Sequence, residues 1–258
     1  MTTKLYHGDC LEEMKKIPDE SIDLILTDPP YGTTSVKWDS VIPLEPMWEH
    51  LNRIIKPNKP IIMTSAQPFT TTLISSNIEM FKYCWVWEKN RPSGVAQAKN
   101  KPLTQHEDIV VFSTGAVIHT NQSTRRMPYF PQGLTRIDKV CKNHKHDHEK
   151  AGGVAQRPSH KEEYIQEYTN YPKTVLKFDC VNKPFHPTQK PVKLMEYLIM
   201  TYSEEGDTVL DFTMGSGTTG IAALNCKRNF VGIELKDEYF QHATDVIEVV
   251  QFRNNLIG

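Results

Sequence analysis

An α/β fold with a doubly wound, mainly parallel sheet is predicted by three features of the sequence. Short apolar runs alternate with stretches of helical spacing along most of the chain. The apolar run at residues 21–27 stops abruptly at Asp28-Pro29-Pro30-Tyr31. The run at 208–212 passes through a turn with Gly215 and Gly217 into a helical pattern. In open α/β sheets such strand ends form the ligand-binding edge. With 258 residues, 38% of them hydrophobic, the chain can build one sizeable α/β domain with an insertion.

The elements follow in order. Residues 4–6 form a short strand, and 11–17 have helical spacing, with Leu11, Met14 and Ile17 on one face. The strand at 21–27 is ended by two prolines, which cannot donate to a ladder. Residues 32–40, with Trp38, read as a loop over the site. A helix is expected at 43–55, stopped by Lys56-Pro57-Asn58, then a strand at 60–64 and a helix at 69–76. Strands are expected at 83–87 and 108–112. Trp85 and Trp87 are assigned to opposite faces of the first of these, one in the core and the other undecided. Regularity then fades, so 116–183 reads as an insertion between the framework segments 1–115 and 184–258. Order returns with a helix at 192–202 bearing Val192, Met195, Leu198 and Ile199 on its apolar face. A strand at 208–212, a helix at 218–225, a strand at 229–235 and a helix at 238–250 close the chain.

Asp28-Pro29-Pro30-Tyr31 joins a carboxylate, a rigid turn and an aromatic ring. The prolines fix φ and hold the Asp28 carboxylate and the Pro29 carbonyl in place. Both groups accept hydrogen bonds and neither donates, while Tyr31 can stack on a flat ring. That combination suits a planar amine such as the exocyclic amine of a nucleobase. Taken alone, Asp-Pro-Pro favours the reading of an ordinary strand-ending turn, since proline and aspartate are common turn residues.

Gly215, Gly217 and Gly220 fit G-x-G-x-x-G, and Glu234 lies 19 residues beyond Gly215 at the end of the next strand. This is the layout of a Rossmann-like, adenosine-binding βαβ unit whose acidic residue holds ribose hydroxyls. Asp211, immediately before the loop, would repel a pyrophosphate but pair with an ammonium. That favours S-adenosylmethionine over NAD. Its sulfonium is also drawn to carboxylates, carbonyls and aromatic faces.

The net charge of −1 hides a strong asymmetry. Residues 89–193 hold 18 Lys and Arg against 9 Asp and Glu, while the remainder holds 12 against 22. A basic block in an otherwise acidic protein is the footprint expected of a nucleic-acid partner, although a solvated lysine-rich loop has the same composition. No apolar run reaches the ~18 residues of a membrane span. The N-terminal residues carry no apolar signal segment, and five scattered cysteines suggest reduced thiols. A cytoplasmic protein without a membrane role is expected. Cys141, His144, His146 and His148 match no tetrahedral zinc spacing, so no metal is assigned.

With both motifs in place, the chain resembles the β-class DNA amino-methyltransferases, which modify adenine N6 or cytosine N4. The motif order here is Asp28-Pro29-Pro30-Tyr31, a variable insertion, His186-Pro187-Thr188-Gln189-Lys190-Pro191, then Asp211-Phe212-Thr213-Met214-Gly215-Ser216-Gly217. The resemblance covers about 4–115 and 184–250; it departs at Phe212-Thr213, where many members have Pro-Phe. It implies a methyltransferase sheet with a target-recognition insertion, S-adenosylmethionine as cofactor and double-stranded DNA as partner. Asp28, Pro29, Pro30 and Tyr31 would be catalytic. Asp9 would contact the cofactor adenine, Glu234 its ribose, and Asp211 its ammonium. Asp28, Phe212, Gly215 and Gly217 would also line the cofactor site. Thr218, Thr219 and Lys190 would lie near the methionine carboxylate. His186 is an open candidate for the same site.

Aspartate at the first catalytic position leans, within the family, towards adenine N6. Cytosine N4 and an RNA base are the alternatives of the same chemistry. A DNA-binding module that holds the cofactor without turnover, and an NAD dehydrogenase, are those of other classes. Arg125 and Arg126 are candidates for DNA contact. The sequence leaves a homodimer and a paired restriction endonuclease open.

Overall fold

The computed structural model describes residues 1–32, 40–117, 124–142 and 163–257. Two compact units are present, one of Met1–Phe130 with Thr174–Gly258, the other of Pro131–Lys173. The first contains β1 (Thr3–His7), α1 (Cys10–Glu13), β2 (Leu24–Thr27), α2 (Leu44–Ile54), β3 (Ile61–Ser65), α3 (Phe69–Ser76), β4 (Phe81–Ser93) and β5 (Thr104–Phe112). The second holds β6 (Thr135–Lys142) and β7 (Glu163–Thr169), an antiparallel pair. The first unit resumes with β8 (Val175–Phe178), α4 (Val192–Tyr202), β9 (Thr208–Asp211), α5 (Thr218–Asn225), β10 (Asn229–Glu234) and α6 (Asp237–Ile257).

The large sheet has eight strands in the order β1-β10-β9-β2-β3-β5-β4-β8. Neighbours pair in parallel except β5, which is antiparallel to both β3 and β4. The expected mainly parallel sheet is therefore present. Between β9 and β2 the chain winds outward in opposite directions, which makes their C-terminal ends the switch point where such sheets bind ligands.

The parallel strands are buried on both faces, as their near-continuous apolar runs require. Alternation sends successive side chains to two cores. Leu24, Leu26, Val209 and Phe230 pack with α4, α5 and α6 through Leu194, Leu198, Ala222 and Ile247. Ile25, Leu210 and Val231 pack with α2 and α3 through Met47, Leu51 and Leu73. Gly217 is the residue that caps the start of α5, with φ +79°, and a Cβ there would lie 3.1 Å from Ala243 of α6. A Cβ at Gly220 would lie 2.6 Å from Ile247 and 2.7 Å from Phe230. The glycines thus let α5 approach both α6 and the sheet closely.

Several expectations change. Trp85 and Trp87 are both buried in the same core, at 4% and 3% exposure, so neither is left undecided. They are two residues apart, and a strand's period of two puts them on one face. The stretch read as irregular contains three strands, and β8 completes the large sheet beside β4. β4 and β5 extend well past 83–87 and 108–112 to form a long hairpin. Trp38 and the histidines at 144, 146 and 148 lie outside the described residues. Among the described residues no helix is long and apolar enough to cross a membrane.

Candidate active site

A cavity of about 400 Å³ opens at the C-terminal ends of β1, β10, β9 and β2. Both sequence motifs reach it. Asp28, Pro29, Pro30 and Tyr31 line it from the end of β2, and Asp211, Phe212, Gly215, Thr218 and Thr219 from β9 and α5. Asp9, Glu234, His186 and Lys190 also line it, so residues from both ends of the chain meet.

Asp211 is buried at 3% exposure. Its Oδ1 accepts the Thr27 hydroxyl at 2.7 Å and the Thr213 backbone N–H at 3.1 Å, and Thr219 also hydrogen-bonds to it. Burial pushes its pKa up to about 6, against the hydrogen bonds from Thr219, Thr27 and Thr213, and the nearby Asp28 charge adds to the rise. Among the described residues no cationic side chain pairs with it. A buried carboxylate without a cation is strongly suited to a ligand that brings one.

The hydroxyls of Thr27 and Thr213 meet at 2.7 Å, and Thr213 Oγ1 lies 3.2 Å from the Asp28 carbonyl oxygen. Thr27 has one proton, which goes to Asp211. The Thr213 proton is then shared between Thr27 and the Asp28 carbonyl. This bridge ties the ends of β2 and β9, and Thr213 sits where the family resemblance marked a departure.

Glu234 is clamped by backbone: Oε2 accepts from the Gly215 N–H at 2.9 Å and Oε1 from the Lys236 N–H at 2.8 Å. The carboxylate thereby holds the glycine loop against the end of β10 and keeps lone pairs for a ligand. Asp9 caps α1, its Oδ1 accepting from the Leu11 N–H at 2.8 Å. Thr218 starts α5, where free N–H groups favour an anionic ligand group. Phe212 turns into the α2/α3 core at 1% exposure and also borders the cavity. His186 packs edge-on against Tyr239, centroids 4.4 Å apart, and burial lowers its pKa.

Asp28 Oδ1 accepts the Tyr31 hydroxyl at 2.7 Å and also the Thr64 hydroxyl. Oδ2 lies 2.6 Å from Lys190 Nζ. Lys190 is buried at 5% exposure; its ammonium also reaches Glu107 Oε2 at 3.2 Å and stands 5.7 Å from the centre of the Tyr31 ring. Burial works against the Lys190 charge, but Asp28 and Glu107 outweigh it and hold its pKa above the ordinary lysine value. The lysine that the resemblance sets beside a methionine carboxylate is thus placed on the Asp28 carboxylate.

Arg125 and Arg126 are not brought to this cavity. Their turn lies beside Asn58, which precedes β3 and donates to the Thr124 carbonyl at 3.3 Å, so both occupy the opposite edge of the sheet. Sequence reasoning missed Thr27, Thr64, Glu107 and Thr213. Thr27 directly precedes the first motif and Thr213 lies within the second, but nothing local marks Thr64 or Glu107.

Residues 22–245 match the family model of N6/N4-type DNA methylases, and the chain belongs to that family. It is 32% identical over 253 residues to the DNA adenine methyltransferase YhdJ of Escherichia coli (strain K12), covering 92% of this chain and 80% of that protein. It is 28% identical over 267 residues to the type II methyltransferase M1.MboII of Moraxella bovis, covering 96% and 97%. The M1.HpyAVI–SAM complex superposes with a TM-score of 0.62 at 24% identity, over 95% of this chain and 100% of that one. The cytosine-N4-specific PvuII DNA methyltransferase gives 0.63 at 17%, over 98% and 93%. These two structures share the fold.

The raised Asp211 pKa sets a pH dependence for any ligand whose ammonium docks there. Only the ionised carboxylate attracts an ammonium. Affinity should therefore be full above pH 7 and fall on acidification through about pH 6, approaching tenfold per unit below it. Calorimetry with S-adenosylmethionine from pH 5 to 8 should show this fall. Asp211→Asn should bind weakly with no such inflection.

Proposed function

We propose that this DNA methylase transfers the methyl group of S-adenosylmethionine to the exocyclic N6 of an adenine flipped out of double-stranded DNA. The observation that carries the reading is the pair of carboxylates, Asp28 and Asp211, at the ends of adjacent strands and opening into one cavity. Asp211 suits the cofactor ammonium, Glu234 the ribose, Asp9 the adenine end, and the start of α5 the methionine carboxylate. The cofactor supplies an electrophilic methyl on a sulfonium.

The chain's own residues do the rest. An adenine amine is a weak nucleophile because its lone pair is delocalised into the ring. Asp28 and the Pro29 carbonyl accept its two N–H bonds and favour a pyramidal nitrogen whose lone pair faces the methyl. As the N–C bond forms and the C–S bond breaks, positive charge on nitrogen is stabilised by Asp28, and the excess proton leaves to that carboxylate. Tyr31 stacks on the base. A stacked, paired base cannot enter such a cavity, so flipping is required. Adenine is favoured over cytosine by the aspartate at position 28, and the relative named as an adenine methyltransferase supports it.

DNA that delivers a base here must lie along the same sheet edge. β4 pairs with β8 only through Lys89, and β5 pairs with β3 only as far as Asp108. Beyond these points the hairpin projects by about 13 Å from Asn90 to Ser93 alone, at ~3.3 Å per residue. Residues 90–106 are all exposed and hold Arg91, Lys99 and Lys101 with no carboxylate among them. The hairpin is thus set to grip phosphates beside the flipped base.

Two experiments test these readings. DNA from a host expressing the wild-type chain should carry N6-methyladenine in one short sequence context, absent with Asp28→Ala. N4-methylcytosine instead, or modification surviving Asp28→Ala, would overturn the assignment. For the hairpin, the log–log dependence of DNA affinity on salt should be shallower by about 1 to 2 in Lys99→Ala/Lys101→Ala, at ~0.9 per lost phosphate contact. Arg125→Ala/Arg126→Ala, on the far edge, should match wild type. The reverse pattern would put the DNA on the other edge.

A further inference from the structure

Resting on the methyl-transfer reading, one feature goes beyond it. Four alternating charges run inward from the catalytic carboxylate. Asp28 Oδ2 meets Lys190 Nζ at 2.6 Å, Lys190 meets Glu107 Oε2 at 3.2 Å, and Glu107 Oε1 meets Lys89 Nζ at 3.1 Å. Lys89 comes from β4 and Glu107 from β5, directly beside it. Lys190 lies just before α4, with its ammonium also 3.3 Å from the Thr188 carbonyl. Lys89 and Lys190 are both buried, and the Glu107 side chain is 16% exposed.

An ammonium beside the catalytic carboxylate poses a physical problem. Positive charge develops on the target nitrogen during transfer, and a lone Asp28–Lys190 pair is neutral overall. It would offer that charge little stabilisation. Glu107 changes how that ammonium acts, because it shares the Lys190 charge with Asp28, while Lys89 balances Glu107 in turn and leaves the four charges neutral overall. Glu107 also holds the ammonium, with Oε2 at 3.2 Å. That fixes where Lys190 sits and so which way Oδ2 points, while Tyr31 and Thr64 occupy Oδ1.

We propose that Glu107 is a positioning residue for methyl transfer, acting through Lys190 to orient the Asp28 carboxylate towards the target amine. It touches neither base nor cofactor in this role. Its influence falls on the chemical step and leaves both binding steps alone.

The test is single-turnover methyl transfer to adenine-containing duplex DNA, with dissociation constants for S-adenosylmethionine and DNA measured separately. Glu107→Gln keeps shape and removes charge. It should slow the single-turnover rate at least thirtyfold, with both dissociation constants within twofold of wild type at a temperature where the variant is folded. Glu107→Asp restores the charge at a slightly longer reach and should recover most of the rate, to within three- to tenfold of wild type. A Glu107→Gln rate within twofold of wild type, a loss confined to binding, or no recovery in Glu107→Asp would overturn the proposal. Should Glu107→Gln not fold, Glu107→Asp decides alone: a rate three- to tenfold below wild type at unchanged affinity supports the role, and an unchanged rate or a larger loss overturns it. A wild-type chain that transfers no methyl group would refute the functional reading itself, an outcome separate from all of these.

Discussion

The parallel pairing of β2 with β9, Leu24 against Val209 and Ile25 against Leu210, is the constraint on which the site depends. These strands lie far apart in sequence. Side by side, they end in Asp28 and Asp211, two acceptors that would repel each other if brought together without support. The Thr27–Thr213 bridge supplies that support by donating to Asp211 and linking it to the Asp28 backbone. Burying a carboxylate without such partners costs several kcal/mol, about 1–3 for each unsatisfied acceptor. The hydroxyls therefore let both groups remain at the base of one cavity.

The two carboxylates are then made unlike by their surroundings. Asp211 is surrounded by hydroxyls and an amide, with no cation among the described residues, an environment suited to a positive ligand group. Asp28 already has an ammonium, itself restrained by a second carboxylate. Removing one partner from a buried ion pair typically costs about 3–5 kcal/mol, so Lys190 is integral to the site's stability as well as its charge. In the proposed reaction one acceptor thus serves a charge that arrives fixed and the other a charge that appears during transfer.

Much of this was legible in the sequence because the signals were local. The helices at Phe69–Ser76, Val192–Tyr202 and Thr218–Asn225 coincide with their expected bounds. The strand ends bearing Asp28 and Asp211 were marked by prolines and glycines, and Glu234 by its spacing of 19 residues from Gly215. What escaped had no local period. β6 and β7 are exposed along most of their length, so they show no apolar alternation. β8 has four residues and pairs with a strand some 90 positions earlier in register. The hairpin beyond Lys89 is polar and reads as a loop. The Lys190–Asp28 contact joins residues 162 apart, and Glu107 enters only because β5 runs antiparallel and begins at the catalytic edge. The basic block was visible as composition, but the placement of Lys99 and Lys101 on one edge of the large sheet and Arg125 and Arg126 on the other was not.

The division of labour between the two carboxylates is tested most directly by a crystal structure of the chain with duplex DNA and an unreactive S-adenosylmethionine analogue that retains the amino-acid ammonium. The ammonium should lie within hydrogen-bond distance of Asp211, and the amine of an extrahelical adenine should donate to Asp28 and the Pro29 carbonyl. An ammonium bound at Asp28, or a target base whose amine faces away from the β2 end, would contradict it.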